Sequence, residues 1–332
     1  MPEEYVIGFD VGGTRIKSGA VSASGELTEP GIRPSGFSLP PEGILSAMAE
    51  ETERIAEALG RRPAAIGLGF PGAVDPEFGS VLLPGKLKVE GFPIVPRLTE
   101  ATGVPVIADN DARLCILAEA RYGLARGRKW VVTITLGTGV GSGVMLDGKV
   151  LRDPHLMFGT QASHIIQDAH SDRRCITRGM GTANILCAAA SLAMMARDGL
   201  QRGLPSVLND LYFENPHAVD FAAVIRGVEQ EDALCLDVLD RWATALGWFL
   251  VSVVHMYAPE IIILGGGGAN AAEHFLDRVQ THIDAHVFRY PRGSSVPVVL
   301  SELGNHAGVL GAAALAWERA ERAASGEQGN AG

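Results

Sequence analysis

The sequence lacks paired cysteines. Its four, Cys115, Cys175, Cys187 and Cys235, are widely scattered with no CxxC pair, so neither a disulfide framework nor an intact zinc signature is visible. A long uninterrupted apolar run is missing too, and no segment reads as a membrane span. The opening MPEEYVIGFDVGG has no basic n-region and no cleavage site of the signal-peptide kind. A cytoplasmic protein is the expectation. Positive charge is also short: the formal net charge is −10. That balance argues against nucleic acid or an anionic membrane as partner, because polyphosphate surfaces call for a basic face. Finally, GxxxxGK[ST] does not occur, and GTGVGSG has its glycines at every second position and runs into a strand. A Walker-type ATPase and a Rossmann dinucleotide site are both unsupported.

What is present fits a soluble globular chain. At 332 residues, 47% hydrophobic and 20% charged, it has room for roughly two domains with full cores. YVIGFDV and IKSGAVSA read as two strands joined by a glycine turn. PPEGILSAMAEETERIAEALG has helical spacing and a C-cap glycine at Gly60. AAIGLGFPGAVD is a buried strand entering a Gly/Pro loop, and VPVIADNDARLCILAEARYG is a strand, a polar corner and a helix. The order then repeats. KWVVTITLGTGVGSGVMLDGKV is again strand, glycine turn, strand, followed by a loop-rich segment from Leu151 to about Gly181. TANILCAAASLAMMARDG and EDALCLDVLDRWATALGWFLVSVVHMYA are helices, EIIILGGGGAN and VPVVLSEL hold strands, and NHAGVLGAAALAWERAERA is a closing helix. This repetition predicts a duplicated α/β architecture: residues 1–123 as one domain, 124–305 as the second, helix 306–324 packing back on the first, and 325–332 as a tail.

Three glycine corners each follow a strand: Gly12-Gly13-Thr14, Gly137 to Gly141, and Gly265 to Gly268. Glycine lets backbone N–H groups approach and converge on phosphate oxygens. Any one corner alone reads better as a tight turn, but three, each at the end of a strand, are less easily dismissed as turns and raise the case for a polyanion. Asp10 adds a carboxylate beside the first corner, where Mg²⁺ would separate it from phosphate. In ADNDAR, Asp109, Asn110 and Asp111 fall where a strand ends and a helix begins. Capping alone accounts for Asn or Asp there.

The segments GFDVGGTRIKSG, GLGFPGAVD, IADNDARLC, ITLGTGVGSGVMLDGKV, IIILGGGG and HAGVLGAAALA resemble, in order, those of the ROK family of bacterial sugar kinases and related repressors. The resemblance runs from about Ile7 to Ala316. It implies the actin-like ATPase (ribonuclease H-like) fold, two α/β domains around a cleft for nucleotide and sugar, and ATP-dependent phosphorylation of a sugar hydroxyl. It assigns Asp10, Gly12, Gly13, Thr14 and Lys17 to ATP and Mg²⁺, with Thr138, Gly139, Gly265, Gly266 and Gly267 completing the nucleotide set. Asp111 becomes the general base. Gly72, Lys86, Asn110, Gln161, His164 and Asn184 become sugar-site residues, and a homodimer is implied.

One stretch departs from the family. Its pattern there is approximately GEIGH followed by CxCGxxGCxE, in which His and three Cys bind zinc and two Glu bind sugar. Here His164 and Cys175 stand at matching places, but Thr177 and Thr182 replace two cysteines. Thr is a poor zinc ligand, so an absent zinc is expected. His164 then either faces substrate or is a satisfied loop histidine. Gln161 and Asn184 replace the two Glu, and Lys86 takes the place of an Asn. These changes predict a neutral to positive, donor-rich pocket and a hexose or modified hexose bearing a carboxylate or acyl-amide. A glucokinase-like enzyme with looser contacts, a weak or inactive sugar- or nucleotide-binding protein, and polyphosphate as donor stay open. A transcriptional regulator is disfavoured, because only nine residues precede Asp10.

Overall fold

The computed structural model describes residues 4–35, 39–75, 80–81, 89–152, 161–175, 177–288, 291 and 293–325. In chain order the elements are β1 (Tyr5–Val11), β2 (Arg15–Ser22), β3 (Leu27–Pro34), α1 (Pro41–Leu59), β4 (Ile66–Phe70), α2 (Ile94–Thr102), β5 (Val106–Asn110) and α3 (Asp111–Tyr122). Next come β6 (Val131–Leu136), β7 (Val140–Leu146), β8 (Lys149–Val150), α4 (Ala183–Cys187), α5 (Ala189–Gln201), α6 (Asn209–Glu214), α7 (Phe221–Glu229) and α8 (Ala233–Tyr257). β9 (Ile261–Gly265), α9 (Leu276–His286), β10 (Val298–Leu300) and α10 (Ala307–Ser325) complete the chain. Unit 1 takes in Met1–Lys129, Gly148–Thr160 and Glu302–Gly332; unit 2 takes in Trp130–Asp147 and Gln161–Ser301. Among the described residues no helix is long and apolar enough to cross a membrane.

The two sheets share one topology. The first runs β3-β2-β1-β4-β5 and the second β10-β9-β6-β7-β8. Numbered within each sheet, both are third-second-first-fourth-fifth. In each, the first two strands pair antiparallel and the first and fourth pair parallel. The fully buried IGLGF of β4 sits between parallel neighbours, as a two-sided core strand does.

α10 belongs to unit 1, where it packs on β1, β4 and α3. Small residues bring its backbone almost onto the sheet. A Cβ at Gly8 would lie 2.1 Å from the Val309 carbonyl oxygen, and one at Gly67 would lie 1.8 Å from that of Ala312. Any larger residue at either position would push the helix away.

The edge strand β3 buries little of itself, because its residues alternate between half-buried and exposed. It is held by Glu51 of α1. Ser18 Oγ donates to Glu51 Oε1 at 3.0 Å, Arg33 Nε to Oε2 at 3.0 Å, and Arg54 Nη2 to Oε1 at 2.8 Å. Burial alone would raise the Glu51 carboxyl, but hydrogen bonds from Arg54, Ser18 and Arg33 outweigh it and hold the group below its usual range. A carboxylate depressed on folding contributes stability above its unfolded pKa and loses it as pH falls through the folded value. Glu51→Gln is therefore expected to cost about 1–3 kcal/mol at pH 7, with the gap from the parent narrowing in acid. Urea unfolding at neutral and acidic pH measures this; a gap constant with pH would exclude the ionised carboxylate as its source.

Candidate active site

Unit 1 gathers its polar residues at the ends of three parallel strands. The β1–β4–β5 ladder sets Asp10 opposite Gly69 and Gly69 opposite Asp109. Asp10 also pairs with Lys17 across the β1–β2 hairpin, and Lys17 Nζ donates to the Asn305 carbonyl at 3.2 Å. Gly12, Gly13 and Thr14 form the hairpin turn, with Thr14 exposed at its tip. The Gly12 N–H donates to the Arg15 carbonyl at 2.9 Å. Ser35, fully buried, braces this turn: its N–H donates to the Thr14 carbonyl at 3.1 Å and its hydroxyl to the Gly12 carbonyl.

The start of α10 rests against Asp10. A Cβ at Gly308 would lie 2.5 Å from the Asp10 carboxyl carbon, so this approach requires glycine. Removal from water raises the Asp10 carboxyl, and Lys17 offsets part of the rise. Asp111, the first residue of α3, is pushed up to about 7. Desolvation is the main cause and the charge of Asp10 the second, while the Ala112 N–H, 2.8 Å from Asp111 Oδ1, opposes both. Two carboxylates thus sit close enough for one to shift the other.

Asn110 is the N-cap. Its Oδ1 accepts the Ala112 and Arg113 N–H groups at 3.0 and 3.2 Å, and its Nδ2 donates to the Gly72 carbonyl at 2.8 Å. One side-chain N–H is left for a ligand. Gly72 adopts φ 99°, which a residue with a Cβ would resist. Asp109 supports the corner from behind: its Oδ1 accepts the Asn110 N–H at 2.7 Å and Arg113 Nη1 at 2.9 Å. Arg152 Nη2 lies 3.3 Å from its Oδ2.

Unit 2 repeats the device. The turn Gly137-Thr138-Gly139 joins β6 to β7, and Thr138 is again the exposed tip. The Gly137 N–H donates to the Gly139 carbonyl at 2.9 Å. Asn184 acts on this turn: its Oδ1 accepts the Val140 N–H at 2.9 Å and lies 2.7 Å from where a Cβ of Gly139 would sit. Its oxygen is therefore spent on the backbone, which leaves its amide N–H groups for a ligand. The second corner is adjacent. Gly265 pairs with Thr135, and Gly266, at φ 82°, packs onto the Leu136 carbonyl. Gly266 and Gly267 are exposed.

Gln161 opens the short 3-10 turn Ala162–His164, where its carbonyl accepts the His164 N–H at 2.9 Å. His164 Nδ1 lies 3.4 Å from Thr177 Oγ1 and 3.9 Å from Cys175 Sγ, and Cys175 Sγ lies 2.9 Å from Thr177 Oγ1. Thr182 completes the group: a Cβ on Gly179 would lie 3.1 Å from Thr182 Cγ2, 3.6 Å from Cys175 Sγ and 3.7 Å from Thr177 Oγ1. Burial lowers His164, disfavouring its charged form. Among the described residues, no group of three or more His, Cys, Asp or Glu side chains is placed to hold a metal.

Lys86 lies outside the described residues. The sequence reading missed Ser35, Asp109 in its bracing role, and Gly308. No local pattern marks Ser35, which reaches the turn only through the β2–β3 pairing. Gly308 could have been suspected from the small residues of HAGVLGAAALA.

A family model described as the ROK family matches residues 6–319. The glucokinase of Thermotoga maritima is 30% identical over 323 residues, covering 96% of this chain and 99% of the relative. Two solved structures share the fold. The ROK hexokinase of Thermus thermophilus has TM-score 0.78 at 30% identity, over 96% of this chain and 99% of the other. A ROK glucokinase of Streptomyces griseus, in complex with glucose and AMPPNP, has TM-score 0.79 at 26% identity, over 95% and 99%. The chain belongs to the ROK family, and its fold is the actin-like ATPase fold of the ROK sugar kinases.

Proposed function

We propose that this ROK carbohydrate kinase transfers the terminal phosphoryl group of ATP to a hydroxyl of a hexose or modified hexose, with Asp111 as the general base. The observation that carries the reading is the placement of Asp111, the first residue of α3 directly after the parallel strand β5; desolvation and the charge of Asp10 push its carboxyl up to about 7. A base in that range accepts a hydroxyl proton at neutral pH and can release it afterwards. Phosphoryl transfer asks mainly for position and compensated charge. With the Gly12 and Gly137 N–H groups spent inside the turns, the other N–H groups of Gly12–Thr14 and Gly137–Gly139 and the Thr14 and Thr138 hydroxyls are offered to phosphate oxygens. Asp10 fits a hydrated Mg²⁺, since a carboxyl raised by desolvation and faced by Lys17 gains from a divalent cation. Such an ion would neutralise charge developing on the phosphate oxygens. Gly266 and Gly267, both exposed, would border the adenosine.

Gln161 and the Asn184 amide supply donors where carboxylates would supply acceptors. That chemistry favours a sugar with an acyl-amide or carboxylate. The name of one more distant relative, the N-acetylgalactosamine kinase AgaK of Shewanella, 26% identical over 93% of this chain, supports the acyl-amide choice.

The residues do not fit zinc. Two of the four positions are hydroxyls, and hydrogen bonds among His164, Cys175 and Thr177 already join the cluster. We take the loop to be held without metal. The purified chain is expected to contain no stoichiometric zinc, and Thr177→Cys/Thr182→Cys to acquire about one equivalent with a higher melting temperature. One zinc per parent chain by elemental analysis would contradict this.

The activity is tested by sugar-dependent ADP release across plain, N-acylated and acidic hexoses. Asp111→Asn is expected to lower kcat about 10²–10⁴-fold while ATP-analogue affinity stays within a few fold. The parent rate should fall as pH drops through about 7, because a protonated Asp111 cannot accept the hydroxyl proton. An Asn variant of near-parental kcat would remove Asp111 as base, and fast glucose turnover with no preference for acylated or acidic sugars would remove the donor-rich reading.

A further inference from the structure

A groove of about 370 Å³ on unit 2 is lined by Arg173, Met195, Asp198, Gln201, Arg202 and Arg241. None of these residues belongs to the nucleotide or sugar set above. Three guanidinium groups share it with a single carboxylate, in a chain of net charge −10. No lysine follows Lys149, so every cation of unit 2 is an arginine. We infer that this groove binds a small molecule carrying a phosphate group.

The donor count supports a polyanion. Arg202 ends α5, where its Nε donates to the Asp198 carbonyl at 3.1 Å. Its two terminal nitrogens form no hydrogen bond or ion pair among the described residues. Arg173 spends one nitrogen on the Asp198 carboxylate, and Arg241 spends one on Asp237, one helical turn away, at 2.9 Å. Both pairs are partly exposed and worth little to the fold, so their breaking on ligand binding is cheap. Guanidinium forks match phosphate oxygens in pairs. A monovalent carboxylate would leave most of these donors unused, and the volume is within the range of small-ligand sites.

The groove is built from three segments. Arg202 sits at the end of α5, Arg241 on α8, and Arg173 in the loop that carries Cys175 and Thr177. That loop closes on itself through the Gly181 N–H to the Arg173 carbonyl at 3.0 Å, and through the Gln167 and Asp168 N–H groups to the Gly181 carbonyl at 2.8 and 3.1 Å. A phosphate held by all three arginines ties this loop to two helices. The bound molecule braces the segment next to His164 from a point outside the catalytic constellation.

The test uses inorganic phosphate as probe in Mg²⁺-free buffer, with sodium chloride at matched ionic strength as the control. Calorimetric titration of the full chain is expected to show saturable binding that Arg202→Ala/Arg241→Ala weakens about tenfold or more. Amide exchange over residues 167–181 should slow with phosphate in the parent and not in the variant. Binding of AMPPNP with Mg²⁺ should be equal in the two, which separates this groove from the nucleotide site whatever the chain phosphorylates. Arg202→Gln serves as the milder variant if the double one does not fold. No saturable phosphate binding in the parent, or equal affinity in parent and variants, would overturn the assignment.

Discussion

Asp10 and Asp111 are two half-buried carboxyls, each raised by loss of water, and the charge of Asp10 raises Asp111 further. Left alone, such a pair is destabilising, because each ionised group opposes its neighbour as well as the apolar surroundings. The architecture of unit 1 keeps it nonetheless. Asp10 is fixed by a ladder with neighbours on both sides, Asp111 by the first turn of α3, and the glycine at position 308 lets α10 approach the first carboxyl. Strain at a site of this kind is tolerated where ligands relieve it. A cation at one carboxyl and a transferable proton at the other would do so, which is why the reading as a kinase base follows from the electrostatics rather than from the strand–helix corner alone.

The same five-strand plan is used twice with different contents. In each unit the hairpin between the first two strands carries a glycine turn with an exposed threonine, and the corner after the fourth strand carries a glycine at positive φ, Gly72 or Gly266. Unit 1 adds carboxylates to this frame. Unit 2 adds neutral amides, a histidine and an arginine-rich loop. Division of labour between copies of one scaffold is thus written in side chains, while the backbone device stays constant.

Much of the frame was legible from the sequence because its signals are local. Strand, glycine turn and strand at Tyr5–Ser22 and Val131–Leu146 need only β-branched runs and the turn residues between them, and the Gly60 cap behaves as its position implies. Long-range features were not legible. TANILCAAASLAMMARDG reads as one helix but breaks at Ala188, ψ 154°, whose carbonyl accepts the Trp242 indole N–H at 2.9 Å. β3 went unread, since Pro30 and Pro34 weaken the strand pattern and its anchor, Glu51, lies on a later helix. α2, α7 and α9 also went unread. Asn110 and Asn184 show the limit at the site itself: residue type announced polarity, but only the fold reveals that one oxygen caps a helix and the other holds a turn.

The most direct measurement is a crystal structure of the chain with AMPPNP, Mg²⁺ and a sugar it phosphorylates. One sugar hydroxyl is expected within about 2.6–3.2 Å of an Asp111 carboxylate oxygen, with the metal and its waters beside Asp10. A bound sugar whose hydroxyls all lie away from Asp111, or a metal held without Asp10, would contradict this.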